Sequence, residues 1–559
     1  MLMTVVKAVC AAVFVINVNA AMLTVPDEYD TVQDALNASA SGDTVLINSG
    51  NYVQELSVPN HDITIASQYL FSNDTLHIEE CVLRPPPHSV GRTLLAATDE
   101  PQPILRLVGL YIKGSSSGLP VTGGGIAAHN REIEIRACYV DSCHATIGGG
   151  LFARNCNVSI ASTRFLHTGS NEFGNVAYFE NCVSIVDSVC AQSCFSTNND
   201  PSAVAFFVER GSLSLRSSIV QDFGWEDVPG GYCIRQVGVA DYLEIVGCEI
   251  RNNRFHHFFR LPGEGVLQWS NIRFDSNYVV SNEFQHDLFQ SAGADTGSIS
   301  LFRYNVFSGN RRLSEPGWLS RMLFSAADSV QIIEISHNLF CDNESEENSV
   351  ALILGPTTPF HIKFNNNYIF RNSCDGFANP PGGVLMTIAC PANVIFRNVI
   401  AESNGYAAFQ GLLSSPPSFL PFNYWGDSSG PYHAIENESG LGDSVEYLVS
   451  VTPWYSDSSF NEQNIRVRSA QPSSFVLGFP YPNPFNSSVT IEYAVTREQA
   501  IRLVVYDILG RRVETLLDER QGVGVHNILW NAEGMASGVY FARLSSGNLA
   551  QTVKLLLMK

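Results

Sequence analysis

An eleven-residue phrase, clearest at residues 362–372 as IKFNNNYIFRN, recurs from about residue 105 to about residue 404. No other feature narrows the fold as far. Apolar residues fall at phrase positions one, three and eight, as in Ile333, Ile335 and Phe340 or in Leu243, Ile245 and Ile250, with mostly polar or small residues between. A period of two followed by a break describes a strand and then a corner. The phrases begin near residues 105, 133, 158, 183, 213, 243, 267, 300, 333, 362 and 393, at intervals of 24 to 33 residues. One such unit cannot bury its own apolar face, so neighbours must stack, and insertions go into loops on the outside. At about 4.8 Å per coil, eleven coils would make a rod roughly 50 Å long.

Phrase position six carries the corner chemistry. In the later coils it is Asn305, Asn338, Asn367 and Asn398; in the earlier ones it is Cys138, Thr163, Ser188, Ser218 and Cys248. Stacking predicts an asparagine ladder in which each amide bonds its neighbour and the corner backbone.

Charge separates two regions. The chain carries Lys+Arg 33 against Asp+Glu 54, a net −21, yet from residue 473 onward the two signs nearly balance. The acidic excess therefore lies in the repeat region, which argues against nucleic acid as a partner and disfavours strongly anionic polymers.

Residues 1–20 join Lys7, an apolar run from Ala8 to Val18, and Val18-Asn19-Ala20 as a small-residue cleavage site. They read as a secretory signal peptide, and the run is too short for a spanning helix, as is every later apolar stretch, so no transmembrane segment is expected. Cleavage would remove Cys10 and leave twelve of the 13 cysteines in an oxidising compartment. Next, Thr31 with Asp34 forms a capping pair ahead of a short helix whose Val32, Ala35 and Leu36 share a face, and Thr44 to Ile47 begins a strand. This opening resembles the N-terminal cap of right-handed parallel β-helix proteins of the pectin lyase-like class. The resemblance implies a cap over residues 21–60 and a right-handed parallel β-helix over 61–455, because the exposed end of a solenoid needs a cover.

Gly123-Gly124-Gly125 and Gly148-Gly149-Gly150 repeat with the coil period and lead into no helix, so they read as tight turns rather than a phosphate loop. Cys138, Cys143, Cys156, Cys182, Cys190, Cys194, Cys233 and Cys248 lack zinc-site spacing and read as small buried residues, with one or two bridges such as Cys190–Cys194 or Cys156–Cys182. Tyr424, Trp425 and Trp454 either cover the last coil, the favoured reading, or offer a flat face to sugar rings. No cofactor site is expected; Asp427, Asp443 and Asp457 are the residues a calcium ion could use, although their spacing matches no defined loop.

Residues 456–474 read as a polar linker, and residues 475–559 as a small β-sandwich of about six short strands. This module contains Tyr481-Pro482-Asn483-Pro484-Phe485, a run with Tyr506, Asp507, Gly510 and Arg511, then Trp530, Gly538, Tyr540 and Lys554. Together these resemble the type A C-terminal sorting domain of the type IX secretion system. The resemblance implies the type IX machinery as partner and release from, or attachment to, the outer-membrane surface of a Gram-negative bacterium.

The sequence motifs of polygalacturonases, pectin methylesterases and extracellular pectate lyases are absent. The best remaining cluster of ionisable residues runs from about 213 to 290. Within it Asp222, Arg254, His257 and Asp275 are the catalytic candidates and Trp225 a binding platform, with Arg251 expected beside Asp275. Two functions follow as expectations: a secreted or surface-attached solenoid that binds glycan or another surface partner, or a polysaccharide lyase or glycoside hydrolase using that cluster.

Overall fold

A computed structural model describes residues 20–558 except 459–475 and shorter stretches, the longest of which are 115–121, 197–203, 225–229, 261–270, 293–298, 313–323, 355–360, 375–382, 389–394 and 411–417. The chain folds as two compact units that divide after Ser458.

The first unit is a parallel β-helix. Positions one to four of each phrase form a first sheet, in which Leu105, Ile133 and Val158 stand in register and Ile333 pairs with Ser300 and Ile362. Positions seven to nine form a second sheet of 13 parallel strands, from Gly50–Val53 to Val399–Ala401. A third sheet, begun by Leu94–Ala97, Ile126–His129 and Leu151–Arg154, returns the chain to the first. The long strands Ala177–Asp187, Val204–Arg216 and Gly230–Val246 bend through that last corner and join the two sheets. Inward residues fill one continuous core, with Phe307 stacked on Phe340 at 5.0 Å.

The corners explain the phrase. Position five adopts the left-handed conformation in coil after coil, as at Ser217 (φ 48), Ser276 (φ 60), Tyr304 (φ 57), His337 (φ 58) and Asn366 (φ 52). A single left-handed residue swings the strand sharply, and for a non-glycine it carries a steric cost. The next side chain offsets that cost. Asn305 donates from Nδ2 to Phe274 O at 2.8 Å and to Asn338 Oδ1 at 2.9 Å, while its backbone N–H also reaches Asn338 Oδ1 at 3.0 Å. The same set repeats through Asn367, Asn398 and Asn423.

Two phrase starts differ from the sequence reading. The coil assigned to 267 begins at Ile272, which pairs with Leu243, and the coil assigned to 183 begins at Ser184, which pairs with Leu213 and Val158. Leu267-Gln268-Trp269 mimics the apolar spacing, but only the register from Ile272 puts an amide, Asn277, after a left-handed corner residue. Near 183 a buried Ser184 occupies the inward position while Val183 is 54% exposed, which reverses the hydropathy signal. Ser188 is therefore the left-handed residue and Val189 the inward one.

Thr31 caps the helix Val32–Ala38 by accepting from Asp34 N–H at 3.0 Å, and Val32, Ala35 and Leu36 are buried in the solenoid core. The stack is already under way within 21–60, since Asp43–Ile47 and Gly50–Val53 pair with the next coil. The second unit is a sandwich of two antiparallel sheets. One comprises Val476–Leu477, Ser488–Val495 and Gly524–Asn531; the other comprises Arg512–Gln521, Gln499–Asp507, Gly538–Ser546 and Leu549–Leu557.

Candidate functional site

The four catalytic candidates do not converge. Asp222 is an exposed left-handed residue at the corner between the second and third sheets, accepting from Gln192 Nε2 at 3.1 Å. Arg254 opens the third-sheet strand of the next coil and pairs with Glu283 at 3.0 Å. His257 lies three residues further along that strand, with Tyr232 as its register partner. Asp275 is on the first sheet, next to Val246 and Arg303, and Arg251 stands opposite Val280 rather than Asp275. The misplaced phrase start at 267 is the reason: five residues of slip carried Asp275 from one sheet to another. Trp225 lies outside the described residues, as do Glu226, Asp227, His286 and Asp287, further charged or titratable members of the 213–290 cluster.

What the first sheet does present is a band of ion pairs at outward positions two and four. Glu244, 3% exposed, accepts from Ser214 Oγ at 2.7 Å, Arg216 Nε at 2.8 Å and Arg273 at 2.9 Å. Asp275, 4% exposed, accepts from Arg273 Nε at 2.8 Å and from Arg303 at 3.1 Å. The carboxylates lie beneath and the arginines, partly exposed, lie over them. Burial pushes the Glu244 carboxyl up, but the bonds from Ser214 and Arg216 outweigh it and hold the group below the usual glutamate range. A general acid needs the opposite shift.

A second cluster has no counterpart in the phrase pattern. Asp141 accepts from Tyr111 Oη at 2.7 Å and Ser142 Oγ at 2.9 Å; His167 Nδ1 lies 3.1 Å away and Lys113 Nζ 3.8 Å. Burial pushes the Asp141 carboxyl up, and the hydrogen bonds from Tyr111, His167 and Ser142 reverse that, leaving it below the ordinary range. Burial also raises the Tyr111 phenol, with Asp141 adding to the effect. A carboxylate on Nδ1 orients the imidazole, and the His167 side chain is more than half exposed. Tyr111, Lys113, Asp141 and His167 sit in register on adjacent second-sheet strands or at the corner after them, a juxtaposition legible only once the coils are aligned.

The aromatic candidates divide. Trp425 is fully buried in the solenoid core, so it closes the last coil and offers no face to a sugar. Tyr424 is partly exposed, with its hydroxyl donating to Gly426 O at 2.7 Å. Trp454 packs against the same core. Phe152, Tyr178 and Phe207 form a stacked file on the outside of the third sheet, but with Val204 and Tyr232 they are buried as a satellite core. Asp427 accepts from Ser429 and Asp443 from Ser403 N–H at 2.9 Å, Asp457 lies outside the described residues, and no group of three or more ligating side chains forms among those described.

The cysteine bridges anticipated from sequence are not formed. Cys190, Cys194, Cys156 and Cys182 are all free thiols. Cys156 and Cys182 stack in neighbouring coils, where Cys182 Sγ accepts from Cys156 N–H at 3.4 Å, and each thiol also reaches a backbone carbonyl. Cys194 points inward while Cys190 is half-buried on the second sheet. Burial pushes the Cys138, Cys194 and Cys248 thiols up to about 12, which makes them inert corner residues.

In the C-terminal unit, Phe485, Trp530 and Tyr540 pack together at 5.5 and 5.4 Å, and Trp530 Nε1 donates to Glu514 at 2.9 Å. Asp507 ties the turn that holds Gly510 and Arg511, Tyr506 precedes it on the same strand, and Lys554 pairs in register with Phe541. Tyr481, Pro482, Asn483 and Pro484 lie outside the described residues.

The first unit thus defines a β-solenoid protein. Residues 480–558 match the family described as the secretion system C-terminal sorting domain, which indicates secretion or attachment at the cell surface. No curated protein matches the chain in sequence. Among solved structures, a mutant tailspike protein of E. coli bacteriophage HK620, in complex with a pentasaccharide, is 10% identical, with 94% of this chain and 88% of that chain covered and a TM-score of 0.30. A PL6 family polysaccharide lyase from Pseudopedobacter saltans is 10% identical, with 79% and 93% covered and a TM-score of 0.24.

Proposed function

We propose that residues 1–20 are removed as a signal peptide, that the type IX secretion system delivers the protein to the outer-membrane surface or beyond it, and that the solenoid binds a glycan without transforming it. The binding surface is the outer face of the first sheet. The observation that carries this is the band of Arg216, Arg273 and Arg303 over the buried Glu244 and Asp275. Guanidinium groups locked by carboxylates keep further N–H donors, and the register sets Arg216 and Arg303 in one file three coils apart, with Arg273 in the neighbouring file beside Glu244, at about 4.8 Å per coil. Such a band suits a neutral, hydroxyl-bearing polymer, since its two carboxylates offset most of the charge of its three guanidinium groups.

A second reading, a polysaccharide lyase or glycoside hydrolase, draws on Asp141 and His167, whose pairing is the arrangement an oriented proton acceptor needs. One experiment separates the two. The chain from Ala21 onward is incubated with plant, algal and bacterial polysaccharides, and both retention and released oligosaccharides are measured. Binding predicts retention on one polymer, weakened about tenfold by Arg273→Ala, with nothing released. Products with unsaturated or hydrated ends that vanish in His167→Asn would replace it with the enzyme.

A further inference from the structure

The described residues of the sorting motifs meet at one end of the module's four-stranded sheet. Asp507 pairs with Tyr540, and Tyr540 with Leu555; Gly538 pairs with Leu557. Phe485 bridges to the same place, its N–H donating to Leu556 O at 2.9 Å and its carbonyl accepting from Met558 N–H at 2.7 Å. The hairpin tip after Asp507, the start of the Gly538 strand, the end of the last strand and Phe485 therefore lie side by side, three strand spacings or about 14 Å across.

This end is rigid and apolar where a turn is ordinarily polar. Asp507 Oδ1 accepts from Leu509 N–H at 2.9 Å and Arg511 N–H at 3.0 Å, and Arg511 Nε returns to Oδ2 at 2.7 Å. Gly510 supplies the left-handed step at φ 72. With the backbone so satisfied, Ile508 and Leu509 project at 69% and 70% exposure, and Met558 at 58%. None belongs to the module's core. The edge strand Arg512–Gln521, by contrast, carries Arg512, Glu514, Asp518, Glu519 and Arg520, which discourage strand addition from that side.

We infer that this end, with Ile508, Leu509 and Met558 as its apolar contacts, is the surface by which the module docks on a protein component of the type IX secretion machinery. The inference rests on the module being an export address, and it names the part that is read. A turn held this firmly loses little conformational freedom on docking, and a small apolar cluster with a polar surround is the usual centre of an interface.

The test uses the full chain in a bacterium that has this machinery. Ile508→Asn with Leu509→Asn should lower the surface-delivered or released fraction by about tenfold or more, the loss expected when central anchors are removed, with the protein accumulating in the periplasm. The melting temperature of the purified variant should match the wild type, because neither side chain is in the core. Leu549→Asn, at the opposite end of the sheet, should be delivered normally. Normal delivery of the double variant, while deletion of 475–559 blocks export, overturns the docking surface alone. Normal delivery of the deletion overturns the export reading itself. If phosphatidylethanolamine vesicles sediment the wild type and not the double variant, the partner is the membrane and the assignment to a protein fails.

Discussion

The early and late coils of the solenoid solve the same corner problem with different chemistry. From Asn277 to Asn423 the first corner is an unbroken amide ladder, and a second ladder, Asn253, Asn282, Asn310, Asn343 and Asn372, lines the next corner. In the earlier coils the same two positions hold Cys138, Thr163, Val189, Ser218 and Cys248, then Cys143, Thr168, Cys194 and Phe223. The Asn338 side chain bonds three groups of the coil before it, Asn305 N–H, Asn305 Nδ2 and Phe302 O, and donates to Asn367 Oδ1 of the coil after. Thr163 Oγ1 accepts from Cys138 N–H at 3.3 Å and donates to Ala161 O of its own coil at 3.0 Å, and the Cys138 thiol reaches Leu107 O at 3.6 Å. The early corner side chains bond fewer groups of the neighbouring coils than the asparagines do, and the two kinds of corner should fail differently.

The largest contrast should come from Asn338→Leu. The change nearly conserves volume, so no cavity confuses it, but it removes the bonds that Asn338 makes to Asn305 N–H, to one of the two Asn305 Nδ2 hydrogens and to Phe302 O in a dry corner. At roughly 1–3 kcal/mol for each orphaned group, the loss should be about 3 kcal/mol or more, read from the denaturant midpoint. Thr163→Val orphans a single N–H and should cost about 1–2 kcal/mol. Equal losses would mean that the ladder adds nothing beyond ordinary burial and would end the comparison.

The scaffold was legible because apolar positions one, three and eight are read directly from side-chain chemistry. The second asparagine ladder sits at phrase position eleven, in plain view at Asn310, Asn343 and Asn372, but the slipped register at 267 hid Asn277 and Asn282 and broke both series. The candidate site failed for the same reason. Asp275 is charged and near other charges in sequence, yet which sheet it joins depends on a five-residue offset, and Leu267 and Trp269 imitate the inward spacing at the wrong register. Asp141 and His167 were overlooked because their coils are 25 or so residues apart and each alone looks like a solvated corner. The sorting module was legible motif by motif, whereas the meeting of those motifs at one end follows only from strand pairing.

Acid should separate the two halves at smaller amplitude. The folded Asp141 carboxyl titrates below its ordinary value, so the stability it contributes is complete above the unfolded pKa and is lost as pH falls from about 4 through the folded value. Glu244 behaves the same way in the middle of the stack. Amides do not titrate, and the Asp342–Arg371 pair in the late coils is exposed and screened, hence worth little. At the far end the sign reverses: burial raises the Asp443 carboxyl, so protonation relieves it, and the closing segment gains as pH drops through its folded pKa. Hydrogen exchange at about pH 3.5 should therefore show protection falling first in Tyr111–Lys113 and Tyr139–Asp141 while Asn305 to Asn372 stays closed. Asp141→Asn should flatten that acid response in the early coils. Uniform loss along the whole stack, or loss beginning in the asparagine coils, would show that the solenoid opens as one cooperative unit and that its two kinds of corner are energetically equivalent.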